Sequence, residues 1–407
     1  MAQLIPVTTV RIGEHLPLLE LLPDLSPLSW VRAGDGFVGW GVHATIKVSG
    51  RDRFEHARSW WHQQLETFAI ADSVHTSGTG PLLFSSFSFD RNEESVLIIP
   101  KVIVGKKAET SWITWIGESA QPALLQSAAI STPAHFDFAE GTISTEQWKE
   151  RVAQAISRIE SLAVDKVVLA RDLNAKSSTE IDQRPILRRL ATEYPSTWTF
   201  AVAGLVGATP ELLLRLSRGM VTSRVLAGTI PKTGDDEKDL ALAASLARSS
   251  KDLEEHEYAV RSVAQALEPF CSSTNVPDSP YVLHLANVMH LATDVTGALI
   301  EGKQKFDAFA LLKSLHPSAA VCGTPRNIAF DIIDEIEGMN RGRYAGPVGW
   351  IDASGDGELG IALRSGQITD NSIRIFAGCG IVSGSNPERE LDESSAKMLA
   401  MRFALHG

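Results

Sequence analysis

Apolar positions along this chain recur with two periods, and the changes between them predict its elements. Residues 1–50 alternate weakly and are broken by Gly34, Gly36, Gly39 and Gly41, which predicts strands joined by turns. Over residues 53–71, Phe54, Ala57, Trp61, Leu65 and Phe68 fall on one side of a helix. Runs at 82–89, 95–104 and 111–116 predict a meander of strands, and the Ser-, Ala-, Pro- and Gly-rich residues 117–142 predict a surface connection. Ser144-Thr145-Glu146-Gln147 is a capping signal for a helix to about residue 162. The run Val164-Asp165-Lys166-Val167-Val168-Leu169-Ala170-Arg171 predicts a strand with Lys166, Val168 and Ala170 on one face. A helix is expected at 185–193 and strands at 198–205 and 211–217, separated by a turn at Gly207-Ala208-Thr209-Pro210. A strand at 221–227 is expected to end in a turn at Gly228-Thr229. Helices are expected over 236–268 (two), 306–315 and 327–339, then strands at 344–351, 358–368 and 373–382. A last helix starts at Pro387, a good first-turn residue, and runs to about residue 403. Strands and helices come in groups, so the expected class is α+β with large antiparallel sheets. No break in composition divides residues 1–407, so one fold is expected throughout.

Composition narrows the function classes. The 407 residues are 44% hydrophobic and 21% charged, with a formal net charge of −11 and no basic run. Nucleic acid and anionic membrane surfaces are therefore not expected partners. Cys271, Cys322 and Cys379 lack metal-ligand spacing, and neither a signal peptide nor a bilayer-length apolar run stands out. A cytoplasmic protein with reduced thiols is expected.

Three features carry chemistry. Lys166 in an apolar strand either snorkels to water or sits in a cleft. Glu390, Glu393 and Lys397 share one face of the last helix, as a solvated charged stripe or as a site. Asp252 and Glu255 stand three apart near a helix start. They read either as a capping box or as carboxylates that meet Glu393 and hold Mg²⁺ with hard oxygen ligands. The Gly-rich turns at 227–229, 321–326 and 377–382 could each offer backbone N–H groups to an anion, though a tight turn is the simpler reading.

In order, Lys166-Val167-Val168-Leu169-Ala170-Arg171, Gly207-Ala208-Thr209-Pro210-Glu211-Leu212, Ala227-Gly228-Thr229, Glu255-His256, the run from Leu315-His316-Pro317 to Cys322-Gly323-Thr324-Pro325, Arg343–Trp350, Ile361-Ala362-Leu363-Arg364, Ala377–Val382 and Glu390/Glu393/Lys397 resemble the chorismate-utilising enzymes. The likeness spans residues 145–403, and residues 1–140 resemble the variable part of the same fold. It implies antiparallel sheets in a central sandwich with helices outside. Lys166 stands where ammonia-using members carry glutamine, and Ala320 stands where anthranilate synthases carry threonine. Within the superfamily the chain therefore resembles the isochorismate synthases, with salicylate synthases and the amine-forming enzymes as alternatives.

The resemblance implies a monomer that takes chorismate, with water attacking C2 as the C4 hydroxyl leaves. It makes Lys166 the base, which must be neutral to accept a proton, and Glu211 the acid, which must hold one near neutral pH. It implies Mg²⁺ on Glu255 and Glu393, with Asp252 and Glu390 acting through bound waters. It places Gly228, Thr229, His290, Ala320, Thr324, Tyr344, Arg364, Gly378 and Lys397 around the substrate. His290 is also readable as a satisfied core histidine, and Cys322 and Cys379 as bystanders.

Overall fold

The computed structural model describes residues 3–13, 17–118, 120–124, 135–161, 164–301 and 306–406. Its frame is a forked β network. Strand Ser95–Lys107 pairs along one edge with Asp35–Val48; on its other edge it pairs with Leu82–Ser86 and then with Thr110–Ile116. From Asp35–Val48 one branch runs through Leu28–Arg32, Trp198–Val202, Leu205–Thr209, Ser365–Thr369 and Ser372–Ile381 to Lys166–Ser177. From Leu82–Ser86 the other runs through Pro347–Asp352, Gly357–Ile361, Leu212–Ser217 and Met220–Pro231 to Val288–Leu299. Every one of these pairings is antiparallel, as grouped strands require; Ile5–Ile12 against Phe68–Asp72 is parallel.

The two branches share one core. Val167 and Leu169 from the first branch and Leu213, Val225 and Val295 from the second belong to a single buried cluster. Helices Arg53–Leu65, Thr145–Glu160, Ser250–Leu267, Ala308–Leu315 and Arg326–Ile336 add Ala57, Val152, Val263, Leu312 and Ile332 to it. Helices Gln183–Glu193 and Pro387–His406 close a second cluster through Leu187 and Met401. The α+β class expected from the sequence is the one observed. No helix among the described residues is long and apolar enough to cross a membrane.

Several boundaries differ from the expectation, each because a long-range pairing overrides a local signal. The helix from Arg53 stops at Leu65, and Phe68–Asp72 is a strand against Ile5–Thr9. Phe68 keeps the helical spacing, yet it is buried from the strand. Gly207-Ala208-Thr209 is no turn: Leu205–Thr209 is a strand held between two neighbours. The ladder of Met220–Pro231 does not end at Gly228. It shifts register there as a bulge, with Gly228 at φ +76°, and continues to Pro231. The run 358–368 is two strands, broken at Arg364 with φ +48°. Within 117–142, strand Phe136–Glu140 pairs with Lys166–Ser177, while residues 119 and 125–134 lie outside the described ones. Strand Cys271–Asn275 is a further addition. The capping box at Ser144 and Gln147 forms as read. The one at Asp252 does not: Ser249 caps that helix by accepting from the Asp252 N–H, so Asp252 and Glu255 are left for other work.

Candidate active site

The far ends of the two branches and two helices meet around a narrow polar cavity. Glu211, Gly228, Thr229, Glu255, His290, Ala320, Tyr344, Arg364, Gly378 and Lys397 all line it. These come from strand ends, a bulge, a loop and two helices, so only the folded chain assembles them.

Lys166 opens strand Lys166–Ser177 and is fully buried. Its Nζ lies 3.2 Å from Glu255 Oε1. Gly380, which lines the cavity, makes room for this pair: a Cβ there would meet Glu255 Oε1 at 2.0 Å and Lys166 Cε at 2.9 Å. The snorkelling reading of Lys166 is thereby excluded, since the side chain ends against a buried carboxylate.

Glu211 sits just before strand Leu212–Ser217, its carbonyl accepting from the Ile361 N–H at 3.1 Å. Burial pushes its carboxyl up to about 8, against the pull of Lys166, a backbone N–H at Leu226, Arg364 and Lys397. At pH 7 such a group is roughly nine-tenths protonated. Glu211, expected from the sequence as an acid, therefore keeps its proton near neutral pH, and Lys166 is close enough to pull against that shift.

Arg364, His290 and Thr229 form a chain. Arg364 Nη2 donates to His290 Nε2 at 2.9 Å, and His290 Nδ1 lies 3.0 Å from Thr229 Oγ1. Burial, with Arg364 and Lys397 adding to it, lowers the His290 pKa well below its usual range. The ring is neutral, and since Nε2 accepts, its proton is assigned to Nδ1 and donated to Thr229. That leaves the Thr229 hydroxyl hydrogen for a ligand. His290 is thus both satisfied and part of the wall. Tyr344 stacks on Phe376 with centroids 4.9 Å apart, and burial pushes its phenol up to about 12, so it is a neutral donor.

Four carboxylates gather beside the cavity, three of them facing a lysine. Glu255 pairs with Lys166, Glu393 with Lys397 at 2.6 Å, and Glu390 with Lys251 at 2.8 Å. Burial works against the Glu255 anion, but Lys166, Lys397 and Lys251 outweigh it and lower its pKa. Burial and then Glu393 raise Glu390; burial, Glu255 and Glu393 raise Asp252. Burial also opposes the Lys397 cation, yet Glu393 overcomes that and its pKa is raised. Lys397 Nζ also donates to the Gly378 carbonyl at 3.0 Å. Like charges held this close are costly unless cations sit among them. Ligand atoms of Glu390 and Glu393 lie within 4.8 Å of one another and of Cys379 Sγ, and carboxylate oxygens such as theirs suit a hard divalent cation. Cys379 Sγ shares the Glu390–Glu393 neighbourhood; burial holds its thiol protonated and it donates to the Glu390 carbonyl at 3.2 Å, and a soft sulfur suits a hard cation less well than the carboxylates do. Burial likewise pushes Cys322 up to about 12.

Five expected site residues do not line the cavity: Lys166 reaches it through its partner Glu255 and Glu393 through Lys397, Asp252 and Glu390 lie beside these pairs, and Thr324 pairs with Lys166 in the short strand Gly323–Thr324. Two supports escaped the sequence reading. One is Lys251, the partner of Glu390. The other is a buried pair in which Arg341 binds Glu337, donates to Val168 O at 2.7 Å and to Val321 O at 2.9 Å, while Glu337 accepts from the Ala170 N–H at 2.8 Å. It stitches the Lys166 strand to the 316–322 loop. A salt-bridging i,i+4 spacing was its sole sequence signal.

Comparison with known proteins agrees with this geometry. The profile of the chorismate binding enzyme family matches residues 30–406. The isochorismate synthase MenF of Bacillus subtilis is 34% identical over 91% of this chain and 85% of its own length. The salicylate biosynthesis isochorismate synthase of Pseudomonas aeruginosa is 33% identical over 93% and 84%. The solved structure of DhbC from Bacillus anthracis superposes with a TM-score of 0.80 at 32% identity, covering 95% of this chain and 98% of that one. With a cavity walled by the residues the motifs singled out, and relatives matched over nearly its whole length, the chain belongs to the chorismate binding enzyme family.

Proposed function

We propose that this chain is an isochorismate synthase, a Mg²⁺-dependent enzyme of menaquinone or siderophore biosynthesis that converts chorismate to isochorismate. The observation that carries the reading is Glu211: a buried carboxyl that keeps its proton near neutral pH, in one cavity with an arginine and beside a buried lysine. A hydroxide is a poor leaving group and water a poor nucleophile, so this reaction needs an acid and a base together. Lys166 is the base in its neutral form, with its ion pair to Glu255 released, and takes a proton from the water attacking C2. The ring double bonds shift, and Glu211 gives its proton to the departing C4 oxygen, leaving as water. Net, one hydroxyl moves from C4 to C2.

Arg364 and Tyr344 hold the enolpyruvyl carboxylate, a fork and a phenol suited to it. Thr229, oriented by His290, donates to the substrate. Glu255 and Glu393 would hold Mg²⁺, with Asp252 and Glu390 in supporting places beside them. When bound, the ion supplies positive charge that fixes the ring carboxylate and draws electron density toward it. The names of the relatives support this reaction. The test is chromatography of the product formed from chorismate. Isochorismate alone supports the reading; salicylate with pyruvate, or an aminated product appearing only with ammonia, overturns it.

A further inference from the structure

A cavity of about 530 Å³ lies apart from the catalytic one and shares no lining residue with it. Its wall carries Arg51, Arg53, Arg91, Lys313 and Arg326 against one carboxylate, Asp331, in a chain whose net charge is −11. Lys313 is paired with Glu55. Arg51, Arg53 and Arg91 form no ion pair among the described residues.

Arg53 is the telling group. It is 5% exposed, lies 4.6 Å over the Phe54 ring, and its Nε has no hydrogen-bond partner. A buried guanidinium donor left without an acceptor is expensive unless a ligand supplies one. Burial, with Arg91 nearby and Asp90 opposing, lowers Arg53 only to about 10, so it stays charged at neutral pH.

Two helices also point their first turns here. Arg53 and Phe54 begin one, Arg326 and Asn327 the other, and neither N-terminus is capped by a side chain. Both add partial positive charge. The remaining wall is aromatic: Phe54, Phe89 and Phe330, with Phe89 and Phe330 stacked at 5.7 Å. His316, 4% exposed, sets Nε2 3.4 Å from Phe89 O and leaves Nδ1 unpartnered. Burial holds that ring neutral, at about 3, so Nδ1 is a free acceptor.

We propose that this cavity binds a small aromatic hydroxy-carboxylate, its carboxylate on Arg53, its ring among the phenylalanines and its hydroxyl on His316, and that occupancy is felt at the catalytic cavity. The link is short: the loop runs from His316-Pro317 here through Ser318-Ala319 to Ala320-Val321 in the catalytic wall.

Titration calorimetry of the full chain with 3-hydroxybenzoate, benzoate and inorganic phosphate tests the site without reference to turnover. The expected order is 3-hydroxybenzoate tightest, and Arg53→Gln weakens it about tenfold, the loss of one charge-assisted hydrogen bond. Should Arg53→Gln fail to fold, the exposed Arg51→Ala and Arg91→Ala variants carry the test, each expected to weaken binding severalfold. No heat with the wild type, phosphate binding as tightly as 3-hydroxybenzoate, or variants that bind like the wild type overturns the site. Steady-state kinetics read the link: 3-hydroxybenzoate shifts KM for chorismate in the wild type and not in Arg53→Gln. An equal shift in both assigns the effect to the catalytic cavity and overturns the coupling.

Discussion

Replacing Glu211 by glutamine separates what this residue does for catalysis from what it costs the fold. Burial raises its carboxyl from the ordinary 4.5 to about 8. A raised carboxyl is a stability term with a definite sign. Below pH 4.5 the group is protonated folded or unfolded, and no penalty exists. As pH rises toward 8 the unfolded chain releases the proton and the folded one keeps it, so stability falls by about 1.4 kcal/mol per pH unit. Between pH 5 and pH 7 the wild type should lose roughly 2.5 kcal/mol through this one residue. Glutamine has the shape of the protonated acid and does not titrate, so Glu211→Gln should be free of that loss. Urea denaturation at the two pH values reads it: relative to wild type, the variant gains roughly 2.5 kcal/mol on going from pH 5 to pH 7. Turnover of chorismate should meanwhile fall about 10²- to 10⁴-fold, the usual worth of a general acid. A stability difference that does not change with pH would mean that Glu211 is ionised in the folded enzyme, and the acid role would fall with it.

Other expectations follow from the same contacts. Lys166→Ala should abolish turnover while chorismate still binds in calorimetry; near-normal activity would refute the base assignment. Gly380→Ala should push the Glu255 carboxylate and the Lys166 stem from their places, raising the Mg²⁺ concentration needed for half-maximal activity, as read by metal titration. Glu337→Gln leaves Arg341 buried without its anion and should destabilise the protein by about 3–5 kcal/mol in urea.

The chemistry was more legible in the sequence than the framework that holds it. Lys166, Glu211, Glu255 and Arg364 sit in short runs whose residue types and order carry meaning, and the fold brings them together. Strand limits were harder. Gly207 and Gly228 read locally as turns, but in the fold one is flanked by two strands and the other is a bulge inside a continuing ladder. Nothing within a few residues of either announces partners that lie tens of residues away. The same holds for Lys251 with Glu390, 139 positions apart, which reads as two unrelated surface charges until the helices are packed. Ser249 shows a finer failure: Asp252 and Glu255 satisfy the capping pattern, and a serine three residues earlier takes the cap.

An acid and a base that add solvent water at one carbon and remove the hydroxyl from another leave an isotopic record in the product. Running the reaction in ¹⁸O-labelled water and following the first product by mass spectrometry and NMR tests for it most directly. Isochorismate should carry one ¹⁸O, at C2 and nowhere else. Isochorismate formed without label would show that the original hydroxyl is retained, and water attack assisted by Lys166 and Glu211 would be contradicted.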